Sequence, residues 1–63
     1  MLNLKIERIK KGWTQSTLAE KVNVNTFTIS RYETGESNPP IETLKKLSEV
    51  LGVSIDYLLK EGD

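Results

Sequence analysis

Apolar residues recur along this chain at helical spacing, and no strand is expected. Over residues 2–11, Leu2, Ile6, Ile9 and then Trp13 follow i, i+4, i+7, i+11 spacing. That is the stripe an amphipathic helix turns toward a core, with Leu4 beside it and Gly12 ending it after two lysines. A second helix is predicted from Gln15 to about Lys21, with Thr14 as N-cap and Thr17 where a glutamate would complete a capping box. A third begins after Asn25, a strong N-cap type, and ends before Gly35. TGESNPP is the longest irregular stretch, and its prolines suit only the first turn of the next helix. Ile41, Leu44, Leu47, Val50 and Leu51 stripe a fourth helix from Ile41 to Leu51, ended by Gly52. Ser54 caps a short fifth helix with Asp56 in its first turn and Leu58 and Leu59 as anchors. The expectation is an all-α, compact five-helix fold.

Within it, QSTLAEKVNVNTFTISRYE, from Gln15 to Glu33, has its own spacing. Ala19 is followed four residues later by Asn23 and ten later by Ile29, with Leu18, Val22, Val24 and Tyr32 at the other inward positions. Two short helices crossing at ~90–120° need a small side chain where they touch and a turn residue tolerant of left-handed backbone. Ala19 and Asn23 fit those two roles, and the pattern is that of a helix-turn-helix formed by the second and third helices.

Sixty-three residues make a single domain, 1–63, and a chain this short buries only ~60% of the surface its unfolded form exposes. With no cysteine and no histidine, neither disulfides nor a common zinc site can staple it, so helix packing has to hold it. The same absence leaves serine without its usual activating base. No glycine-rich phosphate loop is present, and an enzyme is the least expected class. MLNLKIERIKK is broken by charge every few residues, unlike a signal peptide or a membrane span, so a soluble cytoplasmic protein is expected.

Formal net charge is zero, but its distribution is uneven. Residues 1–31 carry Lys5, Arg8, Lys10, Lys11, Lys21 and Arg31 against Glu7 and Glu20. Residues 32–63 carry Glu33, Glu36, Glu42, Glu49, Asp56, Glu61 and Asp63 against Lys45, Lys46 and Lys60. Such a split reads either as one face meeting an anion or as ordinary solvated charge.

Placed on a wheel of ~100° per residue from Thr26, Ile29 and Tyr32 point one way, while Thr26, Phe27, Ser30, Arg31 and Thr34 share the opposite arc. In a DNA major groove that mixture is intelligible. Arginine bonds guanine, hydroxyls bond several base edges, and an aromatic ring packs on thymine methyls. The alternatives are that Phe27 packs against the loop after the third helix and that Arg31 forms a surface ion pair. Helix N-termini attract phosphate, which makes Thr14, Gln15 and Asn25 candidate contacts. Thr34, Ser37 and Asn38 are further candidates, although Glu36 sits among them and cap or turn chemistry is their other reading.

The residues from Gly12 to Leu59 resemble the lambda-repressor-like, Cro/CI-type (XRE) helix-turn-helix family, most specifically in TQ..LA, ISRYE.G and ETLKKLSEVLGVSIDYLL. The resemblance implies a repressor-type transcriptional regulator that binds double-stranded operator DNA, an inverted repeat, as a twofold homodimer formed in solution or only on DNA. By position it gives Gln15 a phosphate contact and base reading to Thr26, Phe27 and Arg31, with Thr28 and Ser30 alongside. It also pairs Arg8 with Glu33 as a structural ion pair. No cofactor, metal, small-molecule ligand or membrane is implied, and the setting is the nucleoid of a bacterial or phage-infected cell. Two other readings keep the same fold: an antitoxin, and a protein-interaction module that uses Phe27 as an interface anchor.

Overall fold

Three helix starts are set by side-chain oxygens. Thr14 Oγ1 accepts from the Thr17 amide at 3.0 Å, Asn25 Oδ1 from the Phe27 amide at 2.8 Å and Ser54 Oγ from the Tyr57 amide at 3.1 Å. Each takes up an amide that the first turn of a helix leaves unpaired. They open α2 (Gln15–Val22), α3 (Thr26–Thr34) and α5 (Ile55–Leu59). α1 (Leu2–Lys10) and α4 (Ile41–Leu51) begin without a side-chain cap, α4 behind Pro40. In place of a capping-box glutamate, the Thr17 hydroxyl lies 3.0 Å from that of Thr14. The structure, a computed structural model, describes residues 1–60, and Glu61 and Asp63 of the acidic half lie outside them. All five elements among the described residues are helices. α1 stops one residue short of its predicted end, and α2 runs one residue past its own.

Each helix contributes at least one fully buried side chain to a shared core, Leu4, Leu18, Ile29, Leu47 and Leu58 being wholly enclosed. Ala19, Val22, Tyr32, Leu44 and Leu51 complete it, with Met1, Trp13, Val24, Val50, Val53 and Ile55 packed around the edge. Ala19 is 2% exposed where α2 and α3 pack, the close approach its small side chain permits.

α1 departs from its predicted orientation. Leu2, Ile6 and Ile9, the stripe expected to face inward, are exposed, and Leu4 is the core residue instead. The inward face of α1 is polar at three further positions because each finds a partner. Buried Asn3 donates from Nδ2 to the carbonyls of Tyr57 at 2.8 Å and Lys60 at 3.3 Å, closing the end of α5. Glu7 Oε2 accepts from the Tyr57 hydroxyl at 2.9 Å, and Arg8 turns toward α3. Buried polar groups that are fully paired carry little penalty, so hydrophobicity alone misassigns this helix. For a related reason Ile41 and Leu59 are exposed: each sits in an end turn, beyond the edge of the core that Leu44 and Leu58 fill.

Candidate nucleic-acid interface

The turn between α2 and α3 is built on Asn23, at φ 60° and ψ 47°, the one non-glycine residue with positive φ among those described. Asparagine tolerates this region better than other side chains. The left-handed step lets the Val24 amide reach back to the Ala19 carbonyl at 2.9 Å, closing α2 before Asn25 opens α3. α3 then lies across α2 with Ile29 and Tyr32 buried beneath it. Gly35, at φ 87°, ends the helix.

The outward arc of α3 is open. Thr26, Phe27, Arg31 and Thr34 are exposed, Ser30 is half-buried at its edge, and Thr28 is half-buried off the arc. Phe27 is 75% exposed, so it does not pack against the following loop. Arg31 has no ion-pair partner among the described residues, which removes the surface-pair alternative.

Behind the arc, α3 is braced by one guanidinium. Arg8 Nε donates to Glu33 Oε2 at 2.6 Å, Nη2 to Glu33 Oε1 at 3.3 Å, and Nη1 to the Trp13 carbonyl at 2.8 Å. The two side chains are 11% and 3% exposed. Gln15 Nε2 donates to the same Glu33 Oε1 at 3.0 Å. One carboxylate thus ties α1, the α1–α2 turn and the start of α2 to the end of α3. The Met1 nitrogen adds bonds to the carbonyls of Tyr32 at 2.8 Å and Glu33 at 3.3 Å.

The candidate phosphate contacts separate by what already occupies them. Gln15 Nε2 donates one of its two amide hydrogens to Glu33, and the second is left to offer an acceptor arriving from outside. Thr14 and Asn25 are engaged in caps, though both are exposed. The Thr34 hydroxyl donates to the Arg31 carbonyl at 3.2 Å, and the Ser37 amide to the same carbonyl at 3.3 Å, so both belong to the closing turn of α3. Asn38 is exposed, as is Glu36.

The wheel alone places Glu33 close to Thr26 and outward, whereas the family resemblance pairs it with Arg8; that pair is present, and at its end of α3 the covering helix α1 buries Glu33. One feature escapes sequence reasoning. Trp13 holds its ring under two ammonium groups, Lys21 Nζ at 4.6 Å from the centroid and Lys11 Nζ at 5.9 Å, keeping two positive charges together beside the start of α2. Lys21 is eight residues from Trp13, in the last turn of α2, whereas Trp13 lies in the α1–α2 turn; no periodicity relates them.

A braced second helix, set on its partner through a small residue and a left-handed turn and presenting an open polar-aromatic face, defines the helix-turn-helix class. The helix-turn-helix family model matches residues 4–58, and the chain belongs to that family. It is 46% identical over 60 residues to the HTH-type transcriptional regulator ImmR of Bacillus subtilis (strain 168), covering 95% of this chain and 47% of the relative. It is 42% identical over 57 residues to an SPbeta prophage-derived HTH-type transcriptional regulator, YonR, of the same organism, covering 90% and 53%. The chain therefore spans about half the length of these curated relatives. Among solved structures, SinR, described as the master regulator for biofilm formation and captured in complex with DNA, superimposes with a TM-score of 0.83 at 41% identity, covering 92% of this chain and 94% of that one.

Proposed function

We propose that this chain acts as one sequence-specific double-stranded DNA-binding domain of a transcriptional regulator, placing α3 in the major groove of an operator half-site. The open arc of α3 carries this reading: Phe27 and Arg31 are exposed on it, while the opposite face of the helix is buried in the core or braced through Glu33. Arg31 reads guanine, Phe27 covers thymine methyls, and Thr26 and Ser30 bond base edges beside them, with Thr28 at the margin. Gln15, Thr14 and Asn25 hold the backbone phosphates; Thr34 and Ser37 contribute less because the Thr34 hydroxyl and the Ser37 amide already serve the closing turn of α3, and exposed Asn38 is a lesser contact beside Glu36. The similarity to DNA-bound SinR and to regulators of the same family supports it.

The domain binds as a homodimer on an inverted repeat, in the cytoplasm, without catalysis. Repression is the direction we assign, since occupancy of an operator needs nothing beyond the docked domain. In-vitro selection from random duplexes tests it, the expected product being an inverted repeat with half-site centres ~10–11 bp apart. A folded chain that enriches no motif would overturn the reading and leave Phe27 as a protein-interface anchor.

A further inference from the structure

The outward stripe of α1 is unused by the core and by the DNA-facing arc. At ~100° per residue, Ile9, Leu2 and Ile6 fall within roughly 60° of one another, with Lys5 and Lys10 flanking the stripe at roughly 40° on either side. The three apolar side chains are 57%, 50% and 36% exposed. Leu59, 54% exposed, lies in the turn of α5 that Asn3 closes. Because Leu4 and Arg8 on the opposite side of α1 face the interior and α3, the stripe is turned away from α3.

We propose that this stripe is a docking surface for an acidic amphipathic helix of a partner protein, one that lays an apolar ridge on Leu2, Ile6 and Ile9 and places carboxylates against Lys5 and Lys10. Spacing of i, i+4, i+7 is the repeat by which one helix reads another. The charges choose the occupant. Both rims are basic, and Glu7, the one acidic side chain of α1, is drawn onto the Tyr57 hydroxyl and is largely buried. Lys5 makes no ion pair among the described residues. Lys10 touches Glu7 at 3.2 Å, yet its own side chain stays 66% exposed and available for a second carboxylate. A second copy of this chain is the wrong partner. Paired antiparallel, each rim lysine would oppose its own counterpart; paired parallel, Lys5 would oppose Lys10. Like charges juxtaposed this way select against self-association.

The test uses a synthetic helix of about 15 residues with a leucine ridge and glutamate rims, and a matched peptide with lysine rims. Each is titrated into the isotope-labelled chain while amide chemical shifts are followed. The acidic peptide is expected to give saturable shifts confined to residues 2–10 and Leu59, and to bind at least about tenfold tighter than the basic one. Lys5→Glu with Lys10→Gln should abolish that preference, and Ile6→Ala with Ile9→Ala should weaken both peptides about tenfold. All four positions are exposed or at the exposed margin, and an unchanged thermal transition checks that the variants fold. Equal affinity for the two peptides overturns the proposal, as do shifts centred on Phe27. Concentration-dependent shifts of residues 2–10 without peptide would identify a second copy instead. Shifts induced by vesicles of anionic phospholipid but not by the acidic peptide would identify a lipid surface, to which a basic apolar face also binds.

Discussion

Arg31 and Glu33 lie two residues apart on α3 and do opposite kinds of work. Arg31 is exposed with no ion-pair partner among the described residues, so its removal breaks no ion pair and costs at most its small interaction with the end of the α3 dipole. Arg31→Ala should leave the thermal transition in place, cost ~1–3 kcal/mol of operator affinity and relax preference at one base position. Competition binding against single-base operator variants checks this, and an unchanged preference would put another residue in the groove. Glu33 is 3% exposed and accepts from both Arg8 and Gln15. Deleting its charge strands a nearly buried guanidinium, which costs about 3–5 kcal/mol. For a domain this small that is comparable with the whole of its stability, about 3–5 kcal/mol. Glu33→Leu should therefore be largely unfolded at room temperature, whereas Arg8→Met with Glu33→Leu should recover most of the loss by removing both charges. Urea denaturation followed by circular dichroism reads the pair, and additive losses would mean that the two residues are not coupled.

At the scale of elements, α5 depends on α1. Five residues are too few for a helix to persist alone in water, so α5 is held by Leu58, by Asn3 at its carbonyl end and by the Glu7–Tyr57 bond. The Tyr57 hydroxyl lowers the Glu7 carboxyl from its ordinary value, against desolvation and with help from Lys10 and Lys11. The same bond raises the Tyr57 phenol, with desolvation adding to it. A carboxyl lowered by folding stabilises at pH above its unfolded value and loses that contribution as pH falls through the folded one. A phenol raised by folding stabilises below its unfolded value and loses that contribution as pH rises through the folded one. The α1–α5 attachment is thus strongest between the ordinary carboxylate and phenol ranges. Tyr57→Phe should flatten stability against pH at both ends, and thermal melts across acid and alkaline pH measure it. The two extremes of legibility are α3 and α1. α3 is readable because its determinants are local: a cap at Asn25, a small residue at Ala19, a left-handed Asn23 and Ile29 and Tyr32 at helical spacing. α1 is not, because Asn3, Glu7 and Arg8 are chosen by groups on α5 and α3 that lie 25 to 57 residues away in sequence. The open arc of the site can be read from one helix wheel, but its brace, assembled from four segments, can be read only in part.

For the molecule as a whole, the structure reduces the charge that can meet DNA. Of the six basic side chains in residues 1–31, Arg8 is spent on Glu33, Lys10 touches Glu7, and Lys5 sits on the rim of the α1 stripe, turned from α3. Lys11, Lys21 and Arg31 remain, the first two gathered by Trp13. Backbone amides and neutral side chains such as Gln15 hold phosphates without displacing counterions as a cation does. With Arg31 assigned to a base edge, about two neutralised phosphates per domain predict a slope of log affinity against log salt near −2, following ~0.9 per phosphate. Fluorescence anisotropy over a salt series measures it on a half-site duplex. A slope twice as steep would mean that Lys5 and Lys10 also reach the backbone, and the stripe between them could not then be free for another helix. A slope near zero would mean that neither Lys11 nor Lys21 faces phosphate. Lys21→Ala should reduce the slope by about one without changing base preference, whereas Lys5→Ala should leave both unchanged; together they locate the DNA on the α2–α3 side of the molecule and leave the outer face of α1 open.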